Sequence, residues 1–294
     1  MGRSATAYLA EVTEDAASGE TARIYAEIRR LSAVPFVALI YRHLATIPGA
    51  LEAVWRAVGP LMESRQLQAG AWRLGRDAWN GPGVDMSDAL RGRDSASLAA
   101  IGDVIAAYNR ANPVNLAIVA LIRQTSREGG TSSSALAVEG GTLPPAIRAL
   151  PPIPSMASLP GDVRVRVDAF AKPGATGMPV LVPTLYRHLA HWPDVLAFAQ
   201  REVLPRLASG AFQSAIDGFR SAILAEMAEL GRSSAAADEP LLRRLTPILN
   251  RFTSVIPEMV VIGSFLFRGL ASHASASASA DPSLFSPARP EPSP

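Results

Sequence analysis

The pentapeptide Tyr-Arg-His-Leu-Ala occurs twice in this chain, at residues 41–45 and again at residues 186–190. Each copy continues into a related pattern, so that residues 40–61 and 185–206 share 10 identities in 22 ungapped positions. Composition alone would give about two identities, and self-similarity at a fixed separation indicates an internal repeat. The sequence therefore predicts a tandem duplication whose two halves pack with a cleft between them, a common place for a ligand.

The spacing of apolar residues predicts helices throughout both halves. Ile24, Ile28 and Leu31 recur at helical spacing, for example, and no stretch alternates as a half-buried strand would. The predicted helices cover residues 20–31, 34–44, 50–62, 66–79, 86–110 and 112–123, and then 180–190, 194–207, 212–230, 239–252 and 257–270. We therefore predict an all-α protein built from two pseudo-symmetric helical repeats.

Composition divides the chain into four segments. We predict a first helical repeat at residues 1–128, a long linker at 129–178, a second helical repeat at 179–271 and a disordered tail at 272–294. The linker contains Gly-Gly pairs and repeated Pro, which is typical of a segment that joins two bodies. The tail is rich in Ala and Ser and then in Pro, a composition that cannot form a core.

The overall composition narrows the class of protein. With 294 residues, 48% of them hydrophobic and 18% charged, the chain can form a substantial core. The basic residues are scattered rather than clustered, so we expect no nucleic-acid partner. We also expect no membrane span, because no run of about 18 apolar residues occurs. The absence of Cys excludes thiol chemistry, and the absence of a recognisable secretory signal predicts a cytoplasmic protein.

His188 is the first candidate catalytic residue, because histidine is the usual general base near neutral pH. It could instead form part of a metal site with His191. The alternative is that His43 and His188 are duplicated structural residues, hydrogen-bonded near a helix end. Two histidines without Cys or carboxylate neighbours are too few for a metal site, and no Gly-rich phosphate loop is present. We therefore predict neither a metal nor a cofactor.

Asn112, Asn115 and Glu258 are further candidates. Asn112 precedes Pro113 and could simply cap a helix, whereas Asn115 lies within an apolar helix and could direct its amide into a cleft. Glu258 follows Pro257 and could owe its position to a helix N-terminus. If it is buried instead, its pKa would rise and it could act as a general base.

Several segments, in the same order along the chain, resemble the group I DL-2-haloacid dehalogenases. Residues 112–113, Asn-Pro, resemble the Asn-Pro element that ends the first half in that family. Residues 189–193, Leu-Ala-His-Trp-Pro, resemble the corresponding Leu-Ala-x-Trp-Pro of the second half. The other matching segments are residues 18–20, 24–25, 27–29, 34–38 and 44–49. The resemblance covers both halves, roughly residues 8–123 and 180–270, but neither the linker nor the tail.

The resemblance implies an all-α fold of two pseudo-symmetric repeats with the active site between them. Such enzymes hydrolyse both enantiomers of small 2-haloacids without a covalent intermediate. An Asp, helped by an Asn, takes a proton from water, and the hydroxide displaces halide at C2. The Asn matches Asn112, and the position of the Asp falls seven residues before Trp192, at Leu185. Leucine cannot accept a proton, so the resemblance implies a divergent member of the family that lacks the catalytic Asp.

The resemblance also implies a set of substrate contacts. Phe36 occupies a position where a Trp is usual, and Leu39 a position where a Phe is usual. With Asn115, Thr184 and Leu185 these residues are predicted to contact the substrate, in a more apolar pocket than that of a haloacid enzyme.

Three functions remain open at this point. The first is a hydrolase of a small 2-substituted carboxylic acid, with Glu258 or His188 replacing the missing base. The second is a relative that binds a small apolar carboxylic acid without this catalysis, and the third is a structural or oligomerisation protein, such as a homodimer. Turnover separates the first two, and the absence of stabilisation by any ligand would indicate the third.

Overall fold

A computed structural model describes residues 7–125, 143–174, 178–229 and 239–276, and these residues are mainly helical. The first part contains α1 (Gly19–Ser32), α2 (Leu39–Leu44), α3 (Ala50–Glu63), α4 (Gln66–Arg76), α5 (Ser87–Leu90) and α6 (Ser95–Thr125). It is followed by α7 (Gly161–Asp168), α8 (Thr184–Leu189), α9 (Pro193–Leu207), α10 (Gly210–Glu229) and α11 (Glu239–Ala276). Extended pairing within the described ranges is limited to the isolated bridges Tyr8–Val180 and Lys172–Leu181. The predicted all-α fold class is confirmed.

Equivalent elements follow one another in the two halves. The repeated pentapeptide lies in two six-residue helices, α2 and α8, and each is followed by a helix of similar length, α3 with 14 residues and α9 with 15. Each half then ends in a long apolar helix, α6 or α11. This order agrees with the duplication, which itself stays a prediction.

The long helices α6 and α11 pack against each other in the centre of the molecule. Close approach depends on Gly263 of α11, where an added Cβ would lie 1.8 Å from Oδ1 of Asn109 on α6. Gly75 of α4 similarly faces the ring of Pro113. The two elements that each close one half therefore share a single buried core.

The long helices differ from the prediction. Residues 112–123 and 257–270 are not separate helices, because α6 continues through Pro113 and α11 through Pro247 and Pro257. An internal Pro costs about 3 kcal/mol, but the buried residues on both sides of Pro113 in α6 and of Pro257 in α11 offset that cost. Asn112 is therefore not an N-cap, and Glu258 is not at a helix N-terminus; both of these interpretations were wrong.

Several predicted helices begin, end or break at other residues than expected. The helix expected at residues 34–44 begins at Leu39, because the Pro at 35 disfavours helical geometry at Val34 and Ala38 is extended. The helix expected at 180–190 begins at Thr184. The helix expected at 86–110 is interrupted at Gly92, whose φ of 71° is left-handed.

Part of the predicted linker is ordered against the second half. Residues 143–174 include α7, and main-chain carbonyls at 151, 152 and 154 accept hydrogen bonds from side chains at the end of α8. Residues 129–142 and 175–177 of the linker and 277–294 of the predicted tail lie outside the described residues. The tail was predicted to begin at residue 272, whereas α11 continues to Ala276.

One helix is long and apolar enough to cross a membrane by length and composition, the stretch Arg243–His273 of α11. Two-thirds of its most apolar window (67%) is buried inside the protein. This burial is what a central core helix requires, so the helix gives no reason to revise the expectation of no membrane partner.

Candidate functional site

A cavity lies where the N-terminal ends of α2 and α8 meet the middle of α6 and α11. Its volume is about 40 Å³. By this measure a single water needs about 10–15 Å³, so the cavity fits only a small ligand. The lining residues are Ala38, Leu39, Ile40, Tyr108, Asn112, Asn115, Leu181, Pro183, Thr184, Leu185, Phe252, Val255, Ile256 and Met259.

Five of the predicted site residues line this one cavity. They are Leu39, Asn112, Asn115, Thr184 and Leu185. Leu39 opens α2 and the last two open α8, so both repeated motifs contribute their first helical turn. The structure thus brings together residues up to 146 positions apart (185 minus 39).

Phe36 lies beside the cavity rather than in its lining. Its ring centroid is 4.7 Å from that of Tyr108, which does line the cavity, and 6.4 Å from that of His188. Because α2 begins only at Leu39, Phe36 belongs to the preceding turn and packs behind the site. Its contribution is to support Tyr108.

His188 is buried and does not line the cavity. Its Nε2 lies 2.6 Å from the carbonyl oxygen of Pro151, and its Nδ1 lies 3.3 Å from the hydroxyl of Tyr108. Burial is the main cause that lowers the pKa of His188 to about 4. A histidine with this pKa and without direct access to the cavity is a weak candidate for the general base.

The equivalent histidine of the first half, His43, has a similar structural contact. Its Nδ1 lies 2.8 Å from the carbonyl oxygen of Ala10, and burial lowers its pKa. The contacts of both histidines favour the structural interpretation. His191 bonds the carbonyl of Pro152, and the described residues contain no cluster of three His, Asp or Glu side chains that could hold a metal.

Glu258 does not line the cavity either, although Met259 beside it does. The carboxylate forms an ion pair with Lys172, with 2.7 Å between Nζ and Oε1. The buried phenol of Tyr186 has its pKa raised by burial first and by Glu258 second. These contacts favour a structural role for Glu258, which joins α11 to the segment before α8.

The polar groups of the cavity lining are amides and hydroxyls. Asn112 is 9% exposed, and its Nδ2 is buried without a hydrogen-bond partner among the described residues. The other polar lining residues are Asn115, Thr184 and Tyr108, and the Tyr108 hydroxyl hydrogen-bonds the Thr184 side chain. The remaining lining side chains are apolar, and the residues that line the cavity include neither a carboxylate nor an imidazole. The site can therefore orient a small polar molecule against an apolar wall.

Sequence reasoning missed Tyr108 and the ion pairs that fix α2 and α8. Tyr108 precedes Asn112 by four residues in α6, so helical spacing alone places the two on one face. The buried Arg42 and Arg187 of the repeated motif pair with the same carboxylate, that of Glu11, at 3.0 and 2.8 Å. Both arginines belong to the repeated pentapeptide and so were visible in the sequence, but no sequence pattern indicated Glu11 as their partner.

Comparisons with known proteins agree with the fold. No protein-family model matches the chain. A configuration-inverting 2-haloacid dehalogenase of Alcaligenes xylosoxydans xylosoxydans is 28% identical over 216 residues, which cover 69% of this chain and 70% of that protein. A D-2-haloacid dehalogenase solved with L-LA superposes with a TM-score of 0.66 at 18% identity, covering 92% of this chain and 99% of the other.

A mutant of D-2-haloacid dehalogenase solved with D-2-CPA gives a TM-score of 0.65 at 19% identity, over 88% of this chain and 96% of the other. Below 25% identity such a match establishes the fold, and the sequence match to the Alcaligenes enzyme supports common descent. The chain is therefore homologous to the 2-haloacid dehalogenases and has the all-helical fold of the D-2-haloacid dehalogenase structures.

Proposed function

We propose that the chain is a hydrolase of the 2-haloacid dehalogenase type, in which water attacks C2 of a small 2-substituted carboxylic acid and releases halide. The observation that carries the proposal is the cavity that unites Asn112 with the first turns of α2 and α8. Homology to a configuration-inverting 2-haloacid dehalogenase supports it. Direct attack by water on C2 would invert that carbon, in keeping with this relative.

The residues of the cavity divide into two roles. The buried Nδ2 of Asn112, which has no hydrogen-bond partner among the described residues, is available to a water or a carboxylate. The apolar side chains, Leu39 and Leu185 among them, are available to the alkyl part of the acid. No cofactor enters the proposed reaction, and we propose a cytoplasmic location.

The proposed reaction is slow, because Leu185 stands where the resemblance places the catalytic Asp. Loss of a positioned general base typically costs about 10²–10⁴-fold in rate. Glu258 is paired with Lys172, and His188 contacts Pro151 and Tyr108. Neither side chain therefore replaces the missing general base directly. We therefore propose that this is a divergent member of group I whose remaining rate comes from positioning of the water and the acid.

Halide release tests this proposal. We would measure release from the separate enantiomers of 2-chloropropionate and 2-bromopropionate, for the natural chain and for Leu185→Asp and Leu185→Asn. We expect slow release by the natural chain and an increase of about 10²-fold or more with Leu185→Asp. Asn has nearly the same shape as Asp but cannot accept the proton, so Leu185→Asn should give no increase in halide release.

The enantiomers also test the assignment to group I, since a non-stereospecific enzyme releases halide from both. The proposal would be wrong if the natural chain and folded Leu185→Asp were equally inactive towards both enantiomers. Circular dichroism of each variant establishes that it is folded.

A second candidate function is binding of a small apolar carboxylic acid without turnover. The observation that favours it is the cavity lining, which lacks a carboxylate and an imidazole. Propionate or a similar acid would then raise the melting temperature of the natural chain while no halide is released. A role in structure or homodimer formation would instead give no stabilisation by any small acid, and light scattering would report the dimer.

A further inference from the structure

A larger depression lies away from the candidate site, between the end of α4 and the outer side of α10. Its volume is about 500 Å³, and sites that hold a ligand commonly measure about 300–1,000 Å³. Its floor is the side of α10 from Ala211 to Ala222, and Leu74 and Trp79 form part of the opposite wall. The lining is mostly apolar and open to solvent, so this α10 groove can admit a chain segment from outside.

The indole of Trp79 is a rigid wall of the α10 groove. Its Nε1 donates a hydrogen bond of 3.0 Å to the carbonyl oxygen of Pro82. The ring packs against Phe212, with centroids 4.6 Å apart, and an added Cβ on Gly81 would lie only 2.4 Å from it. Phe219 adds a second aromatic ring to the lining. Fixed aromatic rings in a groove are typical of surfaces that bind proline-rich segments in the polyproline II conformation.

The lining of the α10 groove carries one charged side chain, that of Asp77. This side chain is exposed, and its carboxylate makes no ion pair or hydrogen bond with another described residue. A further open groove, between α7 and α9, is basic instead, because Arg166 and Arg201 line it. The α10 groove therefore suits an apolar, proline-rich partner with a positive charge, whereas the groove between α7 and α9 would repel that charge.

The chain itself contains a segment with this chemistry. Residues 282–294 include five prolines, and two of them, Pro287 and Pro290, have the Pro-x-x-Pro spacing of polyproline II ligands. That conformation has three residues per turn, so it would place Leu284 on the same side as these two prolines. Arg289 is the one basic residue of the segment and would lie on another side.

The segment is long enough to reach the groove. Gly83 meets α11, since an added Cβ there would lie 2.4 Å from the main-chain nitrogen of Gly269, and Gly81 of the lining is two residues away. The end of α11 at Ala276 therefore lies within about 25 Å of Gly81. The 11 residues from Ala276 to Pro287 (287 minus 276) can span about 34 Å as polyproline II.

The groove and the segment also match in length. The lining residues from Ala211 to Ala222 extend about 16 Å along α10. The side of the segment from Leu284 to Pro290 would cover about 19 Å as polyproline II. One pass of the segment therefore fills the groove from end to end.

We infer that the α10 groove is a polyproline-binding site and that its occupant is the chain's own segment 282–290. The side that carries the two prolines lies against Trp79, and Arg289 pairs with Asp77. A composition that cannot form a core can still dock on one, and a polyproline II segment loses little conformational entropy when it does so. This inference does not depend on the reaction proposed for the other cavity.

The absence of Cys from the natural chain allows a direct test by disulfide trapping in the whole chain. One variant combines Ala215→Cys, in the groove, with Ser286→Cys, beside the first docked proline. The control combines Ser286→Cys with Ala197→Cys, which is similarly half-buried but lines the basic groove. On mild oxidation, the first pair should form an intramolecular disulfide at least about tenfold faster, because docking raises the local concentration of the thiols.

A charge exchange tests the ion pair in the same trapping assay. Arg289→Asp and Asp77→Arg should each slow disulfide formation by about threefold, since each places two like charges together. The double variant has the pair with its charges exchanged and should recover most of the rate. A substitution that acted only on the fold would not be reversed by the second one.

Three results would overturn the inference. Equal trapping rates for the two cysteine pairs would mean that the segment does not dock in the α10 groove. A double charge variant that traps no faster than either single variant would exclude the pairing of Arg289 with Asp77. A disulfide between two chains, seen as a dimer on a non-reducing gel, would assign the groove to the segment of a second copy.

Discussion

At the scale of single residues, the buried amide of Asn112 decides between a structural and a ligand-binding role. An amide that capped a helix would stabilise the fold by about 1 kcal/mol, but Asn112 lies inside α6 and its Nδ2 makes no hydrogen bond to a described residue. Asn112→Ala should therefore change the free energy of unfolding by less than about 1 kcal/mol. The same substitution should remove most of the stabilisation that a small acid gives.

The matched control is Asn109→Ala, one turn earlier in α6. Its amide atoms are also buried without a hydrogen bond to a described residue, but Asn109 faces Gly263 rather than the cavity. Thermal melts with and without 2-hydroxypropionate check both variants. A ligand response that survives Asn112→Ala would exclude this amide from the site.

The candidate site could be predicted in part because its residues lie at recognisable places in the repeat. Leu39, Thr184 and Leu185 open the two short helices that carry the duplicated motif. The roles of His188 and Glu258 could not be predicted, since each depends on a partner distant in sequence. His188 meets the carbonyl of residue 151 and Glu258 meets residue 172, and neither contact leaves a local pattern.

At the scale of elements, Glu11 joins α2 and α8, the two helices whose first turns line the cavity. Its carboxylate pairs with Arg42 of α2 and with Arg187 of α8, and both guanidinium groups are buried. Removing the anion leaves two buried cations without their common partner, which typically costs about 3–5 kcal/mol. We expect Glu11→Gln to lower the free energy of unfolding by about 3 kcal/mol.

Urea denaturation measures this loss, and Glu20→Gln is the control. Glu20 pairs with Arg23 on the exposed surface of α1, where solvent screens the pair and it contributes little to stability. If the two substitutions had equal effects, the ion pairs of Glu11 would not hold the helices together.

The close approach of α11 to the segment before α5 gives another prediction. A Cβ on Gly269 would lie 2.2 Å from the main-chain oxygen of Val84. A side chain could relieve such a clash by changing its rotamer, but the main chain cannot. Gly269→Ala should destabilise the protein by about 1–3 kcal/mol. Gly218→Ala in α10 has open space around the new Cβ and should stabilise it by up to about 1 kcal/mol. Thermal melts of the two variants should therefore shift in opposite directions.

The helices themselves could be predicted from apolar spacing, but their ends depend on packing. The prolines at 113 and 257 suggested helix starts, as Pro in a first turn does. Burial of α6 against α11 continues on both sides of each Pro, so the helices continue as well. At Val34 the residue before Pro prefers extended geometry, and the helix starts later although this segment is buried too.

At the scale of the whole molecule, the repeated motif organises chain segments as well as the cavity. The first motif contacts the segment before α1 through His43 and the carbonyl of Ala10. The second contacts the Pro-rich segment through His188 and the carbonyl of Pro151. The duplication thus predicts two equivalent attachments, although the segments attached differ in sequence. The duplicated motif is therefore visible in the sequence, whereas the segments that it attaches leave no local pattern.

These attachments make the stability of the whole molecule depend on pH. Burial lowers the pKa of His188 to about 4, and the nearby charges of His191, Arg42 and Arg187 lower it further, while the bond to Pro151 opposes the shift. In the unfolded chain the pKa is ordinary, about 6.5. Unfolding therefore takes up a proton between these values, and the contribution to stability is full above pH 6.5 and is lost as the pH falls towards 4.

We expect the free energy of unfolding to fall by up to about 3 kcal/mol between pH 7 and pH 4 through His188 alone, at 1.36 kcal/mol per pKa unit. The lowered pKa of His43 adds a loss of the same sign.

Urea denaturation at half-unit steps of pH measures how steeply the free energy of unfolding falls. His188→Gln has no titrating group and should flatten the curve, leaving the part due to His43. An equally steep curve for this variant would mean that the burial of His188 does not govern acid stability. Carboxylates with lowered pKa, such as Asp94, act mainly below their ordinary range near 4, so the histidine effect can be separated from theirs above pH 5.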